Sequence, residues 1–275
     1  MSIGGGTGIG TGEQRRILQD RNLGFLVQNK GFQFSETFFP YTSGQIGNYY
    51  VQSADVMKHG TCFSRAVRDM RLMIDRVLEE GNEPEIDFVS GGESRDWIFS
   101  YPIACTLERP HFTIYKDGKT LGADVKGKRG IHVADLNNEG SSPRDLWLPA
   151  IKKAGGEVKY IFFYVDRMED GVQVMQELGL VSNAVVSMDA HAWETLLQTN
   201  AISPEVYDAS MQRLEDKGAW AREMLRSERG LERLAELARD TKSVEKAKKI
   251  LAIGYPDMKD ELTEKLAERG VVIAA

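Results

Sequence analysis

GIHVADLNNEGSSPRDLWLPAIKKAGGEVKYIFFYV, residues 130–165, is the stretch whose reading decides the fold. The apolar run GIHVA (130–134) ends at Asp135 and gives way to a polar loop. A helix is expected from Pro143 to Ala154, with Ser142 as its cap, Pro143 in the first helical position and Asp145 in the third. Gly155-Gly156 supplies the stop, and VKYIFFYV (158–165) reads as a second buried strand. Strand, helix and continuous apolar strand in this order are the unit of a parallel sheet covered on both faces.

The same alternation extends in both directions. Phe63, Ala66, Val67, Met70, Ile74, Val77 and Leu78 recur at helical spacing between Thr61 and Glu80, closed by Gly81. Strands are expected at 85–90, 111–116 and 183–187, and helices at 97–107 and 171–178. The expected fold class is therefore α/β, a mainly parallel sheet flanked by helices. From about residue 203 the chain changes to charged amphipathic helices separated by Ser-Pro, Gly and Pro. Three parts follow: a tail and irregular or short-stranded cap over 1–57, the α/β core over 58–202, and a helical extension over 203–275. The glycine-rich residues 1–12 fit no phosphate-loop spacing and read as a flexible tail.

Three loops carry candidate chemistry. Asn138, Glu139, Gly140, Ser141 and Ser142 would present backbone N–H groups at a helix N-terminus, a cradle for phosphate, although the same residues suit an ordinary capped turn. Asp135, at the carboxyl end of its strand, stands where open α/β sheets bind ligands and could accept from sugar hydroxyls. SGGESRDW (90–97) places two glycines and Arg95 at another strand end, which suits an anion or a plain turn equally. YKDGKTLGADVKGKRG (115–130), with Lys116 and Lys119, reads either as a cationic flap or as a solvated hairpin.

Bulk properties narrow the field. The 275 residues carry 35 Lys and Arg against 41 Asp and Glu, a net charge of −6 that disfavours a dedicated nucleic-acid binder. No apolar run approaches the ~18 residues that cross a bilayer. The N-terminus lacks the basic-then-apolar order of a secretory signal, so a cytoplasmic location without a membrane partner is expected. Two cysteines, Cys62 and Cys105, exclude a disulfide scaffold and a Cys-rich zinc site. The four histidines are scattered, and His132, inside an apolar strand, reads as structural.

Taken together over residues 32–200, these loops resemble the type I phosphoribosyltransferases, and within them the orotate branch. TSGQIGNYYVQSADVM (42–57) is similar to the family's base-pocket segment, and SGGESRDW to its pyrophosphate loop, with Arg95 in place of Lys. Residues 115–121 resemble the flexible-loop motif R-K-x-x-K-x-H, and ADLNNEGSS (134–142) the D/E-D-x-x-T-T-G-x-S signature. VDRMEDG (165–171) is similar to the family's V-D-R-x-E-x-G. The departures are Ala134 for the first signature acid, Asn138 for its Thr, Tyr115 and Leu121 in the loop, and Ile46 for the base-side Lys.

The resemblance implies transfer of a phosphoribosyl group from phosphoribosyl pyrophosphate to a nucleobase, orotate first, as in pyrimidine biosynthesis. Lys116, Lys119 and Asp135 would be catalytic. Arg95 would neutralise diphosphate, residues 138–142 would hold the 5′-phosphate, and Tyr49 and Tyr50 would flank the base, or else be core and edge of a strand. Arg167 would pair with the orotate carboxylate, or else with Asp166 or Glu169. Mg²⁺ would be held mainly through the substrate, without a dedicated protein metal site, and a homodimer is expected. A non-catalytic binder of phosphoribosyl pyrophosphate or a nucleotide, and a transferase for another base, are the alternatives.

Overall fold

The computed structural model describes residues 11–83 and 85–272. The tail expected over 1–12 lies outside the described residues except for Thr11 and Gly12. The chain forms two compact units, one from residues through Gly31 together with Gln52–Ala192, the other from Phe32–Val51 together with residues from Trp193 onward.

In the first unit, helix α1 (Thr11–Gln28) precedes the excursion into the second unit, whose strands are β1 (Phe32–Pro40) and β2 (Ile46–Val51). The first unit resumes with a short 3₁₀ turn (Ser53–Lys58), α2 (Gly60–Glu80), β3 (Phe88–Gly92), α3 (Trp97–Leu107), β4 (His111–Ile114), β5 (Thr120–Gly122) and β6 (Arg129–Asn137). A π-type turn (Pro143–Trp147) leads into α4 (Leu148–Lys153), followed by β7 (Glu157–Asp166), α5 (Asp170–Glu177) and β8 (Val181–Ser187). The sheet order is β5-β4-β3-β6-β7-β8, parallel throughout except for the antiparallel edge strand β5.

Period-2 alternation divides the apolar strands between two cores. Phe88, Ala134, Ile161 and Phe163 pack with Trp147, Ile151 and Met175 on one face. On the other, Tyr164 stacks on Phe99 of α3 at 4.4 Å between ring centroids. A sheet buried on both faces is why its strands read as continuous apolar runs.

Helix α1 departs from the expected irregular cap. Its buried side includes polar residues: Gln19 donates to Ser187 O and Asp189, and Asn22 donates to Asp69. Asp69 also receives both nitrogens of the Arg21 fork at 2.7 Å. These polar anchors break the apolar period that would have marked the helix.

Strand β3 begins three residues later than expected and runs through Gly91 and Gly92, which look like turn residues in the sequence. A Cβ on Gly91 would lie 2.2 Å from Ser100 Oγ, and one on Gly92 2.1 Å from Trp147 Nε1. The glycines are strand residues that let helices approach.

The second unit joins the antiparallel pair β1–β2 to helices α6 (Ala190–Gln198), α7 (Pro204–Glu215), α8 (Lys217–Arg226), α9 (Glu228–Arg239), α10 (Val244–Lys249) and α11 (Lys259–Glu268), α6 spanning the boundary. Phe38 and Ile46 of the hairpin share one core with Trp220, Leu225, Leu234, Ile250 and Leu262. Residues 11–57 thus divide between the units, α1 with the sheet and the hairpin with the C-terminal helices.

Candidate functional site

Strands β3 and β6 are parallel neighbours, so the loops leaving their carboxyl ends emerge side by side. The β3–α3 loop, Glu93–Asp96, contains a cis peptide between Glu93 and Ser94. Its Asp96 carboxyl accepts from Gly92 N–H and from Asp135 N–H, each at 3.0 Å. Asp135 Oδ2 in turn accepts from the buried Ser53 hydroxyl at 2.6 Å. Asp96 and Asp135 are 4% and 8% exposed. Burial, followed by the negative charge of Asp135, holds the Asp96 carboxyl well above the usual carboxylate range.

After β6 the chain turns at Asn138–Ser142. Gly140 has φ +69°, in the left-handed region, and a Cβ there would lie 2.7 Å from Val174 Cβ on α5. The bare side of Gly140 thus faces α5. Ser142 makes no cap bond, because its own backbone is already helical (φ −62°, ψ −47°), and Asp145 pairs with Arg144. With no side-chain cap, the first-turn N–H groups keep their donor capacity. Ser141 and Ser142 are exposed, Glu139 is half-buried, and Asn138 O accepts from Gly171 N–H at 2.8 Å. Asn137 Oδ1 and Asn138 Oδ1 are buried without a hydrogen-bond partner, two acceptors at one turn that lack a donor.

Arg167 follows β7, its backbone N–H donating to Asn137 O at 3.1 Å. Its guanidinium, 6% exposed, pairs with Glu169 at 3.1 Å, one of the two partners expected. Residues 115–119 form a tight turn between β4 and β5. Lys119 is 80% exposed and holds Asp117 at 2.7 Å. Lys116 N–H donates to Glu93 Oε2 at 2.9 Å, and Glu93 N–H to Ile114 O at 2.8 Å, which bring this turn beside the β3–α3 loop. The Arg95 guanidinium donates to Gln52 Oε1 at 3.0 Å.

The structure thus gathers Arg95, Lys116, Lys119, Asp135, residues 138–142 and Arg167 at the carboxyl ends of β3, β4, β6 and β7. Tyr49 and Tyr50 belong to the second unit, where the buried Tyr49 ring meets Trp193 edge-on at 5.0 Å and Tyr50 is exposed. Sequence reasoning did not single out Asp96 or Ser53. The signal for Asp96 was available: an acid in a polar loop at a strand's carboxyl end, the same logic that selects Asp135.

Beneath this loop cluster His132 hydrogen-bonds Ser90 Oγ at 2.9 Å and stacks on Trp147 at 4.2 Å, a structural role as expected. Burial pushes its pKa down to about 3, and that of the part-buried His111 to about 4. The unfolded chain titrates these groups near 6.5. Below that pH it binds protons that the folded state refuses, so stability falls as pH drops from 6.5 towards 4. His132→Gln is expected to reduce the loss between pH 7 and pH 4.5 by about 2–3 kcal/mol, read by urea unfolding at both pH values. An unchanged loss would show that His132 titrates normally.

A mainly parallel sheet with these helices and this loop cluster is the type I phosphoribosyltransferase fold. No protein-family model matches the chain. In sequence the chain is similar to orotate phosphoribosyltransferases. It is 28% identical to that of Sulfolobus acidocaldarius over 171 residues, 60% of this chain and 82% of that protein. In structure it is similar to Leishmania donovani UMP synthase, with TM-score 0.63 and 18% identity over 72% of this chain and 42% of that one. The orotate phosphoribosyltransferase of Francisella tularensis superposes with TM-score 0.54 and 16% identity, over 70% and 96% of the two chains.

Proposed function

We propose that this chain transfers a phosphoribosyl group from phosphoribosyl pyrophosphate to a nucleobase with release of pyrophosphate, orotate being the first base to test. The observation that carries this reading is the convergence of the β3–α3 loop and the uncapped β6–α4 turn at adjacent strand ends. Displacement of pyrophosphate at C1 of the ribose passes through a cationic, oxocarbenium-like state and needs charge placement and exclusion of water more than acid–base groups. Residues 138–142 would take the 5′-phosphate on backbone donors, and Asp135 would accept from ribose hydroxyls. Arg95, Lys116 and Lys119 would face the leaving diphosphate. An acidic base reaching Arg167 must compete with Glu169, so orotate transfer is expected to be slow.

Mg²⁺ belongs to this reading. Among the described residues no three His, Cys, Asp or Glu come together as a metal site. The donor set fits an ion carried on the diphosphate's own oxygens and water, with Asp135 the acid at hand, and the ion would supply charge neutralisation of the leaving group. Among the described residues no helix is long and apolar enough to cross a membrane. The reading extends to a cytoplasmic homodimer, which sedimentation and localisation would test.

A second reading is a binder of phosphoribosyl pyrophosphate without turnover. It is favoured by the pairing of Asp135 with Ser53, Lys119 with Asp117 and Arg167 with Glu169. Pyrophosphate release with Mg²⁺ across a panel of bases, beside calorimetry of Mg²⁺–phosphoribosyl pyrophosphate, separates the two. Release with one base supports transfer, and Lys119→Ala is then expected to raise the KM for phosphoribosyl pyrophosphate in a salt-dependent way. Binding without release from any base supports the second reading. Absence of binding overturns both.

A further inference from the structure

Ala134 occupies the position where the family signature carries its first acid, and it is fully buried in the apolar cluster of Phe88, Phe112, Trp147, Ile161 and Phe163. A carboxylate there would face that core. The acid that does meet Asp135 comes from elsewhere in the chain. Asp96, last residue of the β3–α3 loop, reaches across to β6, takes the Asp135 N–H on one oxygen and the Gly92 N–H on the other. Burial and the neighbouring Asp135 carboxyl together hold the Asp96 carboxyl well above the usual carboxylate range. The reach depends on Gly92, whose Cβ, if present, would lie 2.7 Å from Asp96 Oδ2.

We propose that Asp96 is a positioning residue of this site, supplying from the diphosphate-side loop the second carboxyl that the signature lacks at position 134. In this role it locks the loop and Asp135 into one unit. The proposal rests on the phosphoribosyl reading above.

Two buried carboxyls in contact cannot both be ionised, and burial with the neighbouring charge keeps the proton on Asp96. In that state Asp96 does three things at once: its O–H donates to the Asp135 carboxyl, and its two oxygens receive the two N–H groups. Asp135 is oriented by Asp96 and by the Ser53 hydroxyl, and would accept from sugar hydroxyls. Asparagine at 96 keeps a donor to Asp135 but offers one acceptor where two N–H groups need them. Alanine keeps neither.

The test uses the full chain as wild type, Asp96→Asn and Asp96→Ala, each with its melting temperature recorded. Calorimetry with Mg²⁺–phosphoribosyl pyrophosphate is expected to rank them wild type, Asn, Ala, with the first step about ten- to a hundredfold. An infrared difference spectrum of wild type against Asp96→Asn at neutral pH is expected to show the carbonyl stretch of a protonated acid, which a merely packed residue would not give. Should Asp96→Ala fail to fold, Asp96→Asn and the infrared band decide. Equal affinities, or no protonated-acid band in a wild type that binds, overturn the Asp96 proposal while leaving the phosphoribosyl reading intact. A wild type that binds no phosphoribosyl pyrophosphate overturns that reading, and the positioning role with it.

Discussion

Ala134→Asp, which restores the acid of the family signature, is expected to unfold the sheet unit rather than to improve the site. The Ala134 side chain points away from Asp135 by the alternation of β6, into the cluster of Phe88, Trp147 and Phe163. A carboxylate there has no partner, and an uncompensated buried charge costs about 3–5 kcal/mol. That is comparable with the whole stability of many domains. Urea unfolding followed by tryptophan emission would read the loss, since Trp97 and Trp147 lie in this unit. A variant as stable as wild type that binds phosphoribosyl pyrophosphate more tightly would show that the residue faces the ligand.

Gly140→Ala is expected to lose both stability and binding. An L-residue at φ +69° pays about 1–2 kcal/mol, and a methyl group 2.7 Å from Val174 Cβ adds about 1–3 kcal/mol of overpacking. The turn must shift to relieve the contact, and the N–H groups at the start of the following helix shift with it. Val174→Ala in the same chain removes the Cγ1 contact but leaves the Cβ contact and the backbone strain, so the double variant should recover only a small part of the stability. Calorimetry and urea unfolding on the same samples make the test. If binding vanishes while stability is untouched, the bare side of Gly140 faces the ligand and not α5.

The legible parts of the fold were those where burial and period coincide. Phe63 to Leu78 place α2 because its buried side is apolar apart from Asp69, and VKYIFFYV places β7 because both of its faces are buried. Helix α1 was hidden because Gln19 and Asn22 face inward on hydrogen bonds, which no apolar period records. Strand β3 was shifted because its glycines serve the close approach of Ser100 and Trp147, a contact made by residues distant in sequence. At the site, Asp135 could be read from its place at a strand end. Asp96 could not be paired with it, because the bond joins residues 39 apart through the adjacency of β3 and β6. The Ser142 cap failed for a local reason: Ser142 is itself helical, and a π-type turn that composition does not announce follows it.

The second unit is assembled from two segments with about 140 residues between them. During synthesis the β1–β2 hairpin leaves the ribosome well before the helices that cover Phe38 and Ile46. At about 5–20 residues per second, that interval lasts roughly ten seconds or longer. A two-stranded hairpin is not stable alone, so the nascent chain carries an unpaired, aromatic-rich strand pair throughout. A stalled product lacking these helices would expose the same strands to aggregation.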